Sequence, residues 1–190
     1  MKRVFIIHGW GGSPEEPLHK WLAQELEKRG FEVTVPVMPN PDEPQIQTWI
    51  PYLSKTVGEV NENTFFIGHS IGCQTILRYL EALPEGTTIG GAVFIAGWYN
   101  VRNLETEEEK RIVGPWVNTP RNDEKIKKAV NKAVAIFSDN DHWVALENQD
   151  AWKELVGAHV IIEHNKGHFT EGDGVTSLPS ALEAILELSR

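Results

Sequence analysis

Short apolar runs alternate with longer amphipathic stretches along almost the whole sequence, and this alternation constrains the fold more than any other feature. Most of the runs are continuously apolar, as expected of strands that are buried on both faces of a parallel sheet. They predict strands at Arg3–Ile7, Glu32–Pro36, Thr64–Ile67, Gly91–Ala96, Ala133–Ser138 and His159–Glu163. The stretches between them predict helices at Glu16–Arg29, Gln45–Val57, Ile71–Leu83, Asp123–Lys132, Glu147–Val156 and Ser180–Ser189.

A β-α-β-α order of this kind implies right-handed crossovers between parallel strands. The sequence therefore predicts an α/β three-layer sandwich, in which a mostly parallel six-stranded sheet lies between helices on both faces. The 190 residues suit one domain, which we place at residues 1–190.

Two segments interrupt this pattern. Pro36–Pro44 contains four prolines, which predict an ordered turn or an extended loop. Gly97–Arg121 is too long for a simple connection and carries the acidic run Glu105–Glu109. The sequence leaves two structures open for this second segment, a small lid or a solvated helix plus a loop.

The charge and composition exclude several classes of protein. The 27 acidic and 18 basic residues give a net charge of −9, which disfavours nucleic acid and anionic membranes as partners because both attract clustered Lys and Arg. No apolar run approaches the roughly 18 residues of a transmembrane helix, and no signal peptide is recognisable. The single cysteine, Cys73, excludes an internal disulfide and a site with several cysteine ligands. We expect a soluble, cytoplasmic protein, and the sequence leaves its oligomeric state open between a monomer and a weak dimer.

One motif carries the chemistry. The strand predicted at Thr64–Ile67 runs directly into Gly68-His69-Ser70-Ile71-Gly72 and then into a helix. A serine at such a turn is held in a strained backbone conformation above the edge of the sheet, and small residues must flank it. The start of the helix favours negative charge that develops there. Ser70 is therefore predicted to be a nucleophile rather than a simple helix N-cap.

A nucleophilic serine needs a base and an acid, which follow it in the order acid, then histidine, in proteins with this turn. His168, beside a glycine that gives the backbone freedom to orient the ring, is the predicted base, and His164 is expected to have a structural role. The acid is predicted to be Asp141, because the apolar residues after it can anchor its loop. Asp139 remains open as the acid, with Glu163 and Asp173 as remote alternatives.

Backbone amides that stabilise an oxyanion are expected from Ile71 and from the glycine-rich loop after the first strand. In that loop, His8-Gly9-Trp10-Gly11-Gly12, the amide of Trp10 is the expected donor, because the glycines let the backbone approach a ligand. The loop lacks the spacing of dinucleotide- and phosphate-binding motifs. The substrate is expected to contact Gly9, His69, Trp98 and Trp143.

These motifs, together with Met38-Pro39-Asn40-Pro41, Thr48-Trp49 and Gly167-His168-Phe169, resemble the small α/β-hydrolases of the retinoblastoma-binding protein nine and YdeN type. The resemblance spans nearly the whole chain and implies an α/β-hydrolase-like fold without a large cap domain. It implies Ser70 as nucleophile, Asp141 as acid and His168 as base, in a serine hydrolase with esterase or peptidase-like activity on small substrates. The first loop departs from that family and is more similar to the oxyanion loop of small bacterial lipases.

We therefore predict a serine hydrolase that cleaves small carboxylic esters, with thioesters and aminoacyl amides as further candidates, by two-step acyl transfer. We expect no metal and no cofactor, a small-molecule ester or amide as substrate, and neither nucleic acid nor a membrane as partner. The seven tryptophans support an alternative, an interaction protein on a hydrolase scaffold, and four of them are expected on loops, Trp10, Trp98, Trp116 and Trp143. A metal hydrolase with His164 and His168 as ligands is disfavoured, because the residues between them are a poor helical spacer.

Overall fold

A computed structural model describes all 190 residues, and its centre is one six-stranded sheet. The strand order is β2-β1-β3-β4-β5-β6, and every neighbouring pair is parallel. The predicted sheet is confirmed, and it is entirely rather than mostly parallel. The strands are β1 (Arg3–Ile7), β2 (Glu32–Thr34), β3 (Thr64–His69), β4 (Gly91–Ile95), β5 (Ala133–Ser138) and β6 (His159–Glu163).

Seven α-helices connect or follow these strands. Six of them agree with the sequence prediction to within three residues at each end, and none of the seven is long and apolar enough to cross a membrane. The helices are α1 (Pro17–Glu27), α2 (Ile46–Val57), α3 (Ile71–Ala82), α4 (Glu107–Asn118), α5 (Asp123–Ala129), α6 (Asn148–Val156) and α7 (Pro179–Leu188).

The sheet separates two apolar cores, so the three-layer arrangement is confirmed. On one face α1 and α7 pack against the strands, and α1 contributes leucines at a spacing of four residues, Leu18, Leu22 and Leu26. On the other face lie α2, α3, α5 and α6, together with one side of α4. The central strand β3 is buried along its whole length, which places the turn that follows it at the middle of the sheet's carboxyl edge.

The segment Gly97–Arg121 contains α4, so the helix-plus-loop alternative describes it. The helix begins with a capping box between Thr106 and Glu109, and Trp116 near its end is fully buried. Trp116 packs edge-on against Trp49 of α2, with ring centroids 6.1 Å apart. The expectation that Trp116 lies on a loop is therefore wrong, because the contact with Trp49 extends the helix through Gly114-Pro115.

The proline-rich segment Pro36–Pro44 is an ordered loop without helix or strand. Prolines have no N–H group, so this loop offers many acceptors and few donors. Three indole N–H groups donate to its carbonyl oxygens, and they hold the loop against the first loop, α2 and α4. The pairs are Trp49 with Pro39 at 2.7 Å, Trp10 with Asp42 at 2.8 Å, and Trp116 with Pro44 at 3.0 Å.

Candidate active site

Ser70 occupies the turn between β3 and α3, with φ 52° and ψ −119°. A non-glycine residue with positive φ costs on the order of 1–3 kcal/mol and persists only where its surroundings impose it. The surroundings here are tight, since a Cβ on Gly72 would overlap the carbonyl oxygen of Ile7 and one on Gly68 would lie 2.8 Å from the amide nitrogen of Cys73. Both glycines are therefore required by the close approach of β1 and α3 to the turn.

The loops after β5 and β6 bring His168 and Asp141 together. His168 Nδ1 lies 2.8 Å from Asp141 Oδ2, and the two side chains are only 12% and 1% exposed. Because a carboxylate only accepts, Nδ1 carries the proton and Nε2 is left with its lone pair. The other carboxylate oxygen of Asp141 accepts from the amides of Trp143 and Val144, at 2.8 and 3.0 Å, which fixes its orientation.

Asp139, the alternative acid, pairs with a different histidine. Its Oδ2 lies 2.6 Å from His164 Nδ1, and its Oδ1 accepts from the amide of Asn165 at 2.9 Å. The hydrogen bond from that amide, followed by the one from His164, lowers the pKa of Asp139. His164 is 78% exposed, so this second pair lies in solvent and does not contact the His168 ring.

Three hydrogen bonds fix the backbone at His168, and the sequence analysis predicted none of them. Its amide donates to Asp173 at 2.9 Å, and its carbonyl oxygen accepts from His69 Nε2 at 2.7 Å. The preceding amide, of Gly167, donates to Asn140 at 2.8 Å. The capping pattern Thr170-Glu171-Gly172-Asp173 could have indicated the position of Asp173. No local sequence pattern indicates the contact with Asn140, because that contact joins two separate loops.

The loop after β1 approaches Ser70 closely, since a Cβ on Gly9 would lie 3.5 Å from the Cβ of Ser70. Buried His8 orders this loop by accepting from the amide of Met38 at 3.2 Å and donating from Nδ1 to the carbonyl oxygen of Gly9 at 2.8 Å. Burial lowers the pKa of His8, which keeps the ring neutral and both bonds in place.

Two backbone amides at this point have no partner in the protein. The amide of Trp10 donates to no backbone or side-chain acceptor, although its indole is anchored to the proline-rich loop. Ile71 is the first residue of α3, and its amide therefore lies outside the helical hydrogen-bond pattern. Both residues border the cavity that contains Ser70.

That cavity has a volume of about 260 Å³. Ser70 and His168 line it, as do all the residues expected to contact an oxyanion or a substrate, Gly9, Trp10, His69, Ile71, Trp98 and Trp143. Two carboxylate side chains, Glu16 and Glu109, also face it, and no lysine or arginine does. The predicted residues therefore lie around one small cavity. Its lining is largely apolar, and the two carboxylates give it a negative charge.

The sequence analysis also singled out Cys73 and the tryptophans, and the structure shows where each of them lies. Cys73 is buried and its thiol donates to the carbonyl oxygen of Ile95 at 3.4 Å, and burial raises its pKa, so it is a packing residue. Among the tryptophans only Trp10 and Trp143 are exposed, by 37% and 39%, while Trp98 is buried. Trp10, Trp98 and Trp143 line the cavity, whereas Trp116 does not reach it.

The family described as serine hydrolase matches residues 4–187 of this chain. The chain belongs to the serine hydrolase family. It is 30% identical over 185 residues to the hydrolase YdeN of Bacillus subtilis strain 168, an alignment that covers 97% of this chain and 94% of YdeN. It is 24% identical over 163 residues to the serine hydrolase RBBP9 of Rattus norvegicus, covering 85% of this chain and 78% of RBBP9.

Solved structures show the same fold. The structure of the B. subtilis ydeN gene product superposes on this serine hydrolase with a TM-score of 0.89 and 27% identity, and covers 99% of this chain and 98% of its own. Est1E of Butyrivibrio proteoclasticus, solved with ferulic acid bound, has a TM-score of 0.77 and 15% identity, and covers 99% and 89%. The α/β-hydrolase-like fold inferred from the sequence is confirmed.

Proposed function

We propose that this serine hydrolase cleaves small carboxylic esters by two-step acyl transfer, with Ser70 as nucleophile, His168 as base and Asp141 as acid. The observation that carries the proposal is the buried contact of 2.8 Å between His168 and Asp141, at the wall of the cavity that contains Ser70. The proposal treats the whole chain as one hydrolase domain.

In the first step Ser70 Oγ attacks the carbonyl carbon of the ester and its proton passes to His168 Nε2. Asp141 holds Nδ1–H, so that Nε2 is the nitrogen available as base, and stabilises the imidazolium that forms. The bond between the carbonyl carbon and the alcohol oxygen then breaks. The alcohol leaves with the proton from Nε2, and an acyl-serine remains.

The amides of Trp10 and Ile71 are the proposed oxyanion donors. Each lacks a protein acceptor and borders the cavity, and donors of this kind stabilise the charge that develops on the carbonyl oxygen. His8 and the proline-rich loop fix the position of Trp10, while the start of α3 fixes that of Ile71. Loss of one such donor costs about 10²–10³ in kcat.

In the second step a water molecule attacks the acyl-serine. It gives a proton to His168 Nε2 as its oxygen bonds to the carbonyl carbon. The bond to Ser70 Oγ breaks, Oγ recovers the proton from Nε2, and the carboxylic acid departs. The same three side chains therefore serve both halves of the cycle.

The cavity favours a small, uncharged or cationic substrate. Its volume of about 260 Å³ lies just below the usual range for ligand pockets, roughly 300–1,000 Å³. Glu16 and Glu109 face it without a compensating cation, so an anionic acyl group is repelled. We infer short-chain, uncharged esters as the preferred class, with thioesters and aminoacyl amides as secondary ones.

Labelling with a fluorophosphonate probe, followed by peptide mass spectrometry, tests the nucleophile without requiring the natural substrate. Wild-type protein is expected to label stoichiometrically at Ser70, and Ser70→Ala and His168→Ala to lose the label. Ser54→Ala, which removes an exposed serine on α2, serves as the matched control and is expected to label fully. A panel of short and long, neutral and anionic p-nitrophenyl esters then measures acyl preference.

Absence of labelling in folded wild-type protein would contradict the proposal. It would favour the alternative of a binding protein whose serine is not activated. Labelling at Ser70 together with faster turnover of anionic esters than of neutral ones would retain the mechanism but overturn the inferred substrate charge.

A further inference from the structure

Three side chains beside the proposed active site have no role in the acyl-transfer mechanism. Glu16 immediately precedes α1, His19 lies within α1 and His69 ends β3. One carboxylate oxygen of Glu16 and one nitrogen of each imidazole all lie within 4.8 Å of one another. His19 and His69 are buried, whereas the Glu16 side chain is 38% exposed.

The hydrogen bonds of the two rings fix where their protons are. His69 Nε2 contacts the carbonyl oxygen of His168 at 2.7 Å, and His19 Nδ1 contacts that of Ser13 at 3.1 Å. A carbonyl oxygen only accepts, so each of these nitrogens carries a proton. In a neutral ring the other nitrogen is then unprotonated.

Those unprotonated nitrogens, His69 Nδ1 and His19 Nε2, are buried and have no hydrogen-bond partner. A buried acceptor without a donor is costly, and most such groups in native proteins are satisfied. Two imidazole lone pairs cannot satisfy each other, because neither has a proton to donate. The nearby carboxylate of Glu16 is a third acceptor beside these two nitrogens. A water molecule can donate to both rings, whereas a cation can bind both rings and the carboxylate at once.

We propose that Glu16, His19 and His69 bind a divalent transition-metal cation, with Zn²⁺ as the best match. Two neutral imidazoles and a carboxylate form a donor set typical of zinc. Two rings that share a tetrahedral zinc through nitrogens at 2.0–2.1 Å have centroids about 5 Å apart. The centroids of His19 and His69 are 6.1 Å apart, so the two rings would move together by about 1 Å to share the ion.

Glu16 completes the site by rotating. Its carboxylate oxygen now lies 3.1 Å from His19 Nδ1, the protonated nitrogen of that ring, so it must turn away from Nδ1 to reach an ion bound by Nε2. The side chain is free to turn because it is partly exposed. Gly12 leaves room beside it, since a Cβ there would lie 2.8 Å from Glu16 Oε1.

The proposed ion takes part in no step of the hydrolytic mechanism, but it neutralises the charge of Glu16 and leaves Glu109 as the uncompensated carboxylate of the cavity. Glu16 and His69 line the cavity that contains Ser70, so an ion bound between them lies in the wall of that cavity and leaves its fourth position open for water. Glu16 and His19 are three residues apart, a spacing that can place two ligands side by side at the start of a helix, but no pattern in the sequence joins them to His69. The expectation of no metal ligand did not consider the three together.

The test is titration of chelator-treated, full-length protein with ZnCl₂, followed by calorimetry and by thermal unfolding, with MgCl₂ as the comparison cation. We expect one Zn²⁺ per chain and a rise in Tm of about 5 °C at one hundred times the Kd, with no effect of Mg²⁺. Glu16→Gln and His19→Gln are each expected to weaken Zn²⁺ binding by more than about tenfold.

His164→Gln and His168→Ala are the matched controls, since each removes another histidine that has a carboxylate partner. Both are expected to bind Zn²⁺ as wild type does. Failure of wild-type protein to bind Zn²⁺ overturns the proposal, as does binding that survives in Glu16→Gln but disappears in either control. If His19→Gln does not fold, Glu16→Gln decides the question, because its side chain is partly exposed.

Discussion

Two histidine–aspartate pairs lie side by side in the loops that follow β5 and β6. The outer pair, His164 and Asp139, has a contact of 2.6 Å, and the inner pair, His168 and Asp141, has one of 2.8 Å. The distances alone do not distinguish them. Their exposure does, because the outer side chains are 78% and 34% exposed and the inner ones 12% and 1%.

Burial gives the inner pair properties that the outer pair lacks. Water screens the outer pair, and exposed ion pairs contribute little to stability. The inner pair is shielded from solvent, its carboxylate is fixed by two backbone amides, and its ring borders the cavity. The same two residue types thus form a surface contact in one place and a candidate catalytic pair in the other.

Replacement of each histidine by alanine is expected to give the largest difference in kcat between the two pairs. His168→Ala is expected to lower kcat by about 10⁶, the scale on which removal of the base acts in a serine triad. His164→Ala is expected to change kcat by less than about threefold, because its ring is in solvent. Ester hydrolysis by both purified variants, with circular dichroism to verify folding, measures the contrast. A severe loss in His164→Ala would assign the base to the outer pair.

Exchange of the aspartates is expected to have the next largest effect. Asp141→Asn preserves shape but cannot hold the required tautomer of His168, so kcat is expected to fall by about 10⁴. Asp139→Asn is expected to stay within about threefold of wild type. Steady-state kinetics on one ester decides this, and the reverse order of activities would show that Asp139 is the acid.

Three buried histidines are expected to make the stability of the fold depend on pH. Burial lowers the folded-state pKa of His8, His19 and His69, and the neighbouring imidazoles add to this in His69, while the Glu16 carboxylate opposes it in His8 and His19. Below about pH 6.5 the unfolded chain therefore takes up protons that the folded chain does not, so stability decreases as pH falls. Each ring contributes up to about 1.4 kcal/mol per pH unit.

Urea unfolding between pH 7.5 and 5.5, in the presence of a chelator, measures this slope. His69→Gln is expected to reduce this slope by up to about 1.4 kcal/mol per pH unit. A slope that stays the same in His69→Gln would mean that the buried ring of His69 is not its cause. Both proteins are measured with the chelator present, so that a bound metal ion cannot contribute.

The fold could be predicted because its determinants are local. Strands buried on both faces require continuous apolar runs, and β1 has the predicted bounds. The turn at Ser70 could be predicted for the same reason, since only glycine at positions 68 and 72 permits the contacts with β1 and α3. Helix α4 was predicted only as one of two alternatives, and its bounds were not, because Gly114-Pro115 is typical of a break whereas a capping box and the burial of Trp116 stabilise the helix.

The environment of the site could not be predicted to the same extent. Asp139 and Asp141 are two residues apart, and only the packing of the β6 loop determines which histidine each one meets. The bond from His69 to the carbonyl oxygen of His168 joins residues 99 positions apart. Glu16 and His19 are three residues apart, but their approach to His69 depends on how α1 packs beside the end of β3, which no spacing in the sequence encodes.

The positions of Ser70 and His168 along the chain have a consequence for biosynthesis. At about 5–20 residues per second, the ribosome needs roughly 5–20 s to extend the chain from the serine to the histidine. Throughout that interval the emerging polypeptide contains the proposed nucleophile but lacks the base, and β6 has not yet been added at the edge of the sheet. A nascent chain of this protein therefore cannot hydrolyse esters in the manner proposed, and activity begins only after the loop that follows β6 has emerged and folded.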